Sequence, residues 1–148
     1  YTAVDKIGEN VVIIGAGLVG IELGLHLISK GKKVQIAEMT DHISDGGNFL
    51  HIIGLKTEIK KQGLEIEFNI KAKEVKEGKV VCESSDGERI LEADTIIYAV
   101  GQEPLREEAL SMSFCAPEFY QIGDCLTPRN ITSATSEAYM IARNIGRF

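Results

Sequence analysis

The stretch VVIIGAGLVGIELGLHLISKGKKVQIAE, Val11 to Glu38, decides the fold. Val11 to Ile14 is a continuous apolar run bounded by Asn10 and Gly15, as suits a parallel strand buried on both faces. Behind it, Leu18 to Ser29 places Leu18, Ile21, Leu25 and Ile28 at helical spacing, and Gly31 follows as a stop. Lys33 to Glu38 reads as a second strand. One helix and two short loops join the strands, which predicts a parallel pair with a right-handed crossover. This is a βαβ unit.

Working outward, a second helix is expected from about Asn48 to Gln62, with Phe49, Ile52, Leu55 and Ile59 on one face and Gly63 as its stop. Leu64 to Phe68 reads as the next strand. Short strands near residues 71–76, 79–84 and 88–91 then predict a three-stranded antiparallel meander. Asp86-Gly87 is read as a hairpin turn whose two central positions take positive φ. Thr95 to Val100 returns to an apolar run and should re-enter the parallel sheet. A loop-rich region follows, with a short helix at Arg106 to Ser111, a short strand at Phe119 to Gly123 and a closing helix from about Thr132 to Asn144. The expected class is α/β: a Rossmann-like three-layer domain with a parallel sheet, flanking helices and the meander.

The 148 residues are 44% hydrophobic and 26% charged, enough for one ordinary domain that buries roughly two thirds of its unfolded surface. With neither an apolar run of about 18 residues nor a charged-then-apolar leader, the expectation is a cytoplasmic chain with no membrane contact. A net charge of −6 argues against nucleic acid, whose phosphates need a clustered basic face. Lys30 to Lys33 and Lys60-Lys61 read as solvated helix ends. The three cysteines, Cys82, Cys115 and Cys125, share no metal-site or redox spacing, and Cys82 reads as a small buried hydrophobe. His26, His42 and His51 are scattered, so no metal site is expected.

Gly15-Ala16-Gly17-Leu18-Val19-Gly20 is a GxGxxG loop with a strand before it, a helix after it and an acid, Glu38, ending the next strand. That context points to a dinucleotide. Gly15 serves the tight turn, Gly17 lets the backbone approach a pyrophosphate, and Gly20 lets the helix lie against the strand. Unpaired N–H groups and about half a positive charge at the helix start favour the pyrophosphate. A carboxylate at Glu38 can bond a ribose diol. A 2′-phosphate there meets a like charge, at a cost of up to about 4 kcal/mol per unit charge at ~4 Å and an effective dielectric near 20; half of that is roughly thirtyfold in affinity. Met39, Thr40 and Asp41 supply no compensating cation, which favours NAD over NADP.

The Val11–Glu38 stretch, a meander and ADTIIYAVGQEPL (Ala93 to Leu105) together resemble the NAD(P)H-binding domain of two-dinucleotide flavoproteins, the pyridine nucleotide-disulfide oxidoreductase superfamily. The resemblance implies that Glu22 reaches toward the nicotinamide end of the cofactor and that Val100 and Gly101 also bind the cofactor. YQIGDC, Tyr120 to Cys125, resembles the GD motif of the FAD domain in that family, implying contacts from Gly123 and Asp124 to FAD. By the residues alone, Asp124 also suits an ordinary helix cap. No earlier glycine loop for the FAD adenosine half is present, so the chain is expected to comprise a nicotinamide domain, 1–104, and the returning tail of an FAD domain, 105–148.

AVGQEPLREEAL with CAPEFYQIGDC is similar to the C-terminal part of 2-enoate reductases, 2,4-dienoyl-CoA reductase and trimethylamine dehydrogenase. The resemblance implies a parent with a flavin-binding barrel, FMN and an iron-sulfur cluster; neither the barrel nor cluster cysteines occur in these residues. It further implies NADH and the parent's remaining domains as partners, hydride transfer from NADH to a flavin, and enoate reduction by the parent. No side chain here is expected to act as acid or base, and the chain alone should be inactive. Two other readings stand beside it: a nucleotide-binding module that holds ADP without turnover, and a self-contained Rossmann enzyme, for which no Tyr-xxx-Lys or His-Asp pair is found.

Overall fold

The structure, a computed structural model, describes residues 4–44 and 49–146. Its compact units are Tyr1–Val100 and Gly101–Phe148. In the first, β1 (Asn10–Ile14), β2 (Lys33–Ala37), β3 (Glu65–Glu67) and β7 (Thr95–Tyr98) form a parallel sheet in the order β3-β2-β1-β7. Helices α1 (Leu18–Ser29) and α2 (Phe49–Gln62) connect its first three strands. Strands β4 (Lys71–Lys76), β5 (Lys79–Ser84) and β6 (Gly87–Glu92) form the antiparallel meander.

Alternation along β1 explains why three layers are needed. Val11 and Ile13 join Ile21, Leu25, Leu27, Ile36, Ile52, Leu55 and Leu64 in a core beneath α1 and α2. Val12 and Ile14 join Ala37, Ile70, Val80, Cys82 and Leu91 in a second core beneath the meander. A strand with apolar side chains on both faces requires a layer on each side. The α/β three-layer class is therefore as expected, with the helices on one face and the meander on the other.

Except at Phe119–Gly123, expected elements recur within one or two residues, the last being α4 (Ile131–Ala142) after the short α3 (Arg106–Leu110). Asn48 and the side chain of Phe49 lie outside the described residues. Lys60 and Lys61 do occupy the last turn of α2, and Lys30 caps α1.

Two local expectations are corrected. Ser84 pairs with Gly87, so the tight turn is Ser85-Asp86 rather than Asp86-Gly87. Neither central residue takes positive φ; Gly87 alone does, at 119°, while Ser84 Oγ donates to the Gly87 carbonyl and accepts from Asp86 N–H. Bonding from a serine side chain closes the turn in place of a primed conformation. The second correction is at Phe119–Gly123, which forms no strand. Strand geometry is held by ladder bonds, and all described strands belong to the first unit. Gly123–Cys125 is a single 3-10 turn.

Candidate functional site

The parallel sheet reverses its strand order at β1: β2 and β3 lie to one side, β7 to the other. Ligands of open α/β sheets bind at such a switch point, beyond the C-terminal strand ends. Gly15 to Gly20 leave β1 at that place. Gly15 N–H donates to the Ala37 carbonyl at the end of β2, and Ala99 N–H donates to the Ile14 carbonyl from the end of β7, both at 2.8 Å.

Each loop glycine has a separate physical reason. Gly15 has φ 108°, and a Cβ there would lie 2.5 Å from the Ala99 carbonyl oxygen. A Cβ on Gly20 would lie 2.1 Å from the Gly15 oxygen, so helix and strand approach too closely for any side chain. Gly17, in contrast, faces open space: a Cβ would meet nothing within 4 Å. Gly17 is also the N-cap of α1 and supplies no side-chain acceptor. The first-turn amides of a helix have no intrahelical partner, and here the backbone in front of them is bare. These features fit a pyrophosphate.

Of the other loop residues, Ala16 is fully buried while Val19 is 70% exposed; Leu18 is partly buried against the core. Glu38, immediately after β2, folds its carboxylate back over the loop. Its Oε2 accepts from Ala16 N–H at 2.7 Å, and its Oε1 accepts from the N–H and the hydroxyl of Thr40, each at 2.8 Å. Burial pushes the Glu38 pKa up, but these bonds and the Met39 amide outweigh it, and the net shift is below the ordinary 4.5. The carboxylate thus stays charged beside the loop. Asp41 engages His42 through Nδ1 at 2.7 Å.

Glu22 stands one turn along α1 with its side chain 49% exposed, and its Oε1 lies 2.9 Å from His51 Nε2 on α2. The spacing of His51 gave no sign of this pair, because the two residues are 29 positions apart. Val100 is 70% exposed beyond β7. An open cleft lined by Asn10, Lys33, Gln35 and Glu65 lies at the opposite, N-terminal strand ends and holds none of these groups.

Within the second unit, Gly101 has φ 101° and is exposed. Gly123 has φ 64°, and its N–H donates to Glu137 Oε2 on α4 at 2.8 Å. Glu137 Oε1 pairs with Arg129. Arg106 Nε donates to the Leu126 carbonyl, and Gln121 donates to the Arg106 carbonyl, both at 2.6 Å. Asp124 is exposed, and its carboxylate bonds no described residue. It does not cap α4: Asn130 does, its Oδ1 accepting from Ser133 N–H at 2.8 Å. An open carboxylate beside a positive-φ glycine fits a hydroxyl-rich ligand.

Cys82 is fully buried and its thiol pKa is raised by burial. Among the described residues, no group of three His, Cys, Asp or Glu could hold a metal ion, and no helix is long and apolar enough to cross a membrane.

The chain is similar to several known proteins. A cinnamate reductase of Clostridium sporogenes is 32% identical over 146 residues, 95% of this chain and 22% of that protein. An NADH oxidase of Thermoanaerobacter brockii is 27% identical over 139 residues, 93% of this chain and 21% of that protein. Among solved structures, a 2-naphthoyl-CoA reductase in complex with 2-naphthoyl-CoA superimposes with a TM-score of 0.82 at 25% identity, covering 97% of this chain and 23% of that one. The chain spans less than a quarter of the length of each of these relatives. The sequence pattern described as pyridine nucleotide-disulphide oxidoreductase matches residues 2–138, and the chain belongs to that family.

Proposed function

We propose that this chain is the NADH-binding part of a larger flavin-dependent oxidoreductase whose reaction is reduction of an enoate carbon–carbon double bond. The observation that carries the reading is the bare backbone at Gly17, open in front of α1, with the charged Glu38 carboxylate held beside it. The cinnamate reductase relative supports the enoate substrate class, and the NADH oxidase relative supports the donor.

When bound, NADH supplies a hydride from its nicotinamide C4 to a flavin. The residues of this chain bind and orient. First-turn amides of α1 hold the pyrophosphate, and Gly17 admits it. Glu38 accepts from the adenosine ribose and repels a 2′-phosphate. Its pKa is lowered rather than raised, so that repulsion persists at neutral pH. Glu22, exposed on α1 and paired with His51, orients the nicotinamide end. Val19 and Val100 offer apolar surface, each 70% exposed. In residues 105–148, Gly123 and Asp124 bond FAD, the carboxylate accepting from its hydroxyls. FMN and an iron-sulfur cluster belong to other parts of the parent, as do the partner domains. No residue here transfers a proton, and the chain alone is inactive.

Calorimetric titration of the chain with NADH, NADPH, ADP and FAD in parallel tests this. The expected result is NADH tighter than ADP, with NADPH weaker by about tenfold or more. Equal binding of ADP and NADH would leave the nicotinamide end unused and favour a nucleotide-binding module without turnover. Binding of FAD alone would assign the glycine loop to the wrong dinucleotide.

A further inference from the structure

Thr40 stands three residues past the end of β2 and bonds Glu38 twice, through its N–H and its hydroxyl. The same hydroxyl lies 2.9 Å from the carbonyl oxygen of His42. Both neighbours are acceptors with no proton to return, and a threonine hydroxyl has a single proton. It therefore has two settings. The backbone around it is fixed: the Thr40 carbonyl accepts from Asn69 N–H at 3.0 Å, and the Glu38 carbonyl accepts from Ile70 N–H at 2.9 Å. Asn69, at φ 59°, is the single non-glycine residue with positive φ among those described.

A carboxylate offers about four lone-pair sites. At Glu38 three are taken: one on Oε2 by Ala16 N–H, two on Oε1 by Thr40; the Met39 amide acts on the carboxylate more weakly than any of these and makes no full hydrogen bond to it. A vicinal diol brings two protons, and one lone pair remains, on Oε2. The second proton needs a place on Oε1. Backbone N–H groups cannot leave, but the Thr40 hydroxyl can turn to the His42 carbonyl, and no donor is then left unmet. A 2′-phosphate offers no such proton from that position and gains nothing from the turn.

We propose that Thr40 is a positioning residue for dinucleotide choice, its hydroxyl holding Glu38 over the glycine loop in the free chain and yielding Oε1 to a ribose hydroxyl by turning to the His42 carbonyl. This rests on the reading that the loop takes NADH. The experiment is titration of the full chain and its Thr40→Val, Thr40→Ser and Glu38→Ala variants with NADH and NADPH, with thermal melts to confirm folding. The hydroxyl has left Oε1 in the bound state and keeps a bond to the His42 carbonyl, so what Thr40→Val loses is the hold on Glu38 before binding; the NADH preference narrows about three- to tenfold, chiefly by weakening NADH. Thr40→Ser retains the preference.

An unchanged preference in Thr40→Val, with Glu38→Ala losing it, overturns the role of Thr40 and leaves the NADH reading intact. Loss of the preference in Thr40→Ser also overturns it, since the hydroxyl would then not be the operative group. Binding of neither dinucleotide by the unaltered chain, or no effect of Glu38→Ala on the preference, overturns the NADH reading and this proposal together.

Discussion

The α-carbon of Gly20 faces the carbonyl oxygen of Gly15 so closely that a Cβ on Gly20 would lie 2.1 Å from it. The obstacle is backbone at the turn between β1 and α1, and the Ala99 Cβ stands behind it at 3.3 Å. Neither can swing aside as a flexible side chain would. Gly20→Ala is therefore expected to lower stability by roughly 1–3 kcal/mol, read as a lower urea midpoint. A midpoint equal to that of the unaltered chain would mean that helix and strand can separate freely there.

Gly17→Ala tests the opposite circumstance. Its backbone is ordinary, φ −72° and ψ 174°, and nothing lies within 4 Å of an added Cβ. The fold should lose less than about 1 kcal/mol, as an N-cap change from glycine to alanine does. The methyl group would instead occupy the space in front of α1, and NADH affinity is expected to fall about tenfold or more. Undiminished NADH binding by a normally folded Gly17→Ala chain would show that no ligand comes near that backbone.

The contrast between these glycines bears on how much the sequence discloses. Continuous apolar runs exposed the parallel strands, helical spacing exposed the two long helices of the first unit, and short strands with turn residues between them exposed the meander, because burial on known faces produces those patterns. The glycine loop and Glu38 were legible for the same reason: their places are set by the βαβ unit. Bonds made across the fold were not. Glu22 to His51 joins two helices, and Glu38 to Ala16 joins two loops, and neither leaves a local pattern. Phe119–Gly123 shows the converse failure: its apolar residues suit a strand, yet a strand needs a neighbour, which no local pattern supplies.

Glu38 should make stability depend on pH in a particular direction. Its folded pKa is below the ordinary 4.5, so the folded chain favours the carboxylate. Its contribution is complete above that ordinary value and is lost as pH falls through the lower, folded value. Glu38→Gln removes the charge and keeps the shape. At about pH 7 the variant should be less stable by about 1 kcal/mol; well below pH 4.5 the gap should shrink as the native carboxylate is protonated. Urea unfolding at both pH values measures it, and an equal gap at both would show that the charge does not hold the loop.

Glu137 is expected to hold the Gly123 turn as Glu38 holds the glycine loop. One carboxylate oxygen accepts the Gly123 amide and the other pairs with Arg129, so its loss releases a positive-φ glycine and an arginine together. Hydrogen exchange at the Gly123 amide reads the release directly. In Glu137→Ala the rate should rise on the order of tenfold, whereas the Gly15 amide, bonded to the Ala37 carbonyl in the first unit, should keep its rate. Glu137→Gln, which retains an acceptor oxygen but no charge, should fall between. A parallel rise at Gly15 and Gly123 would indicate loss of stability throughout the chain, and no rise at Gly123 would show that the turn is held by the Arg106 and Gln121 bonds instead.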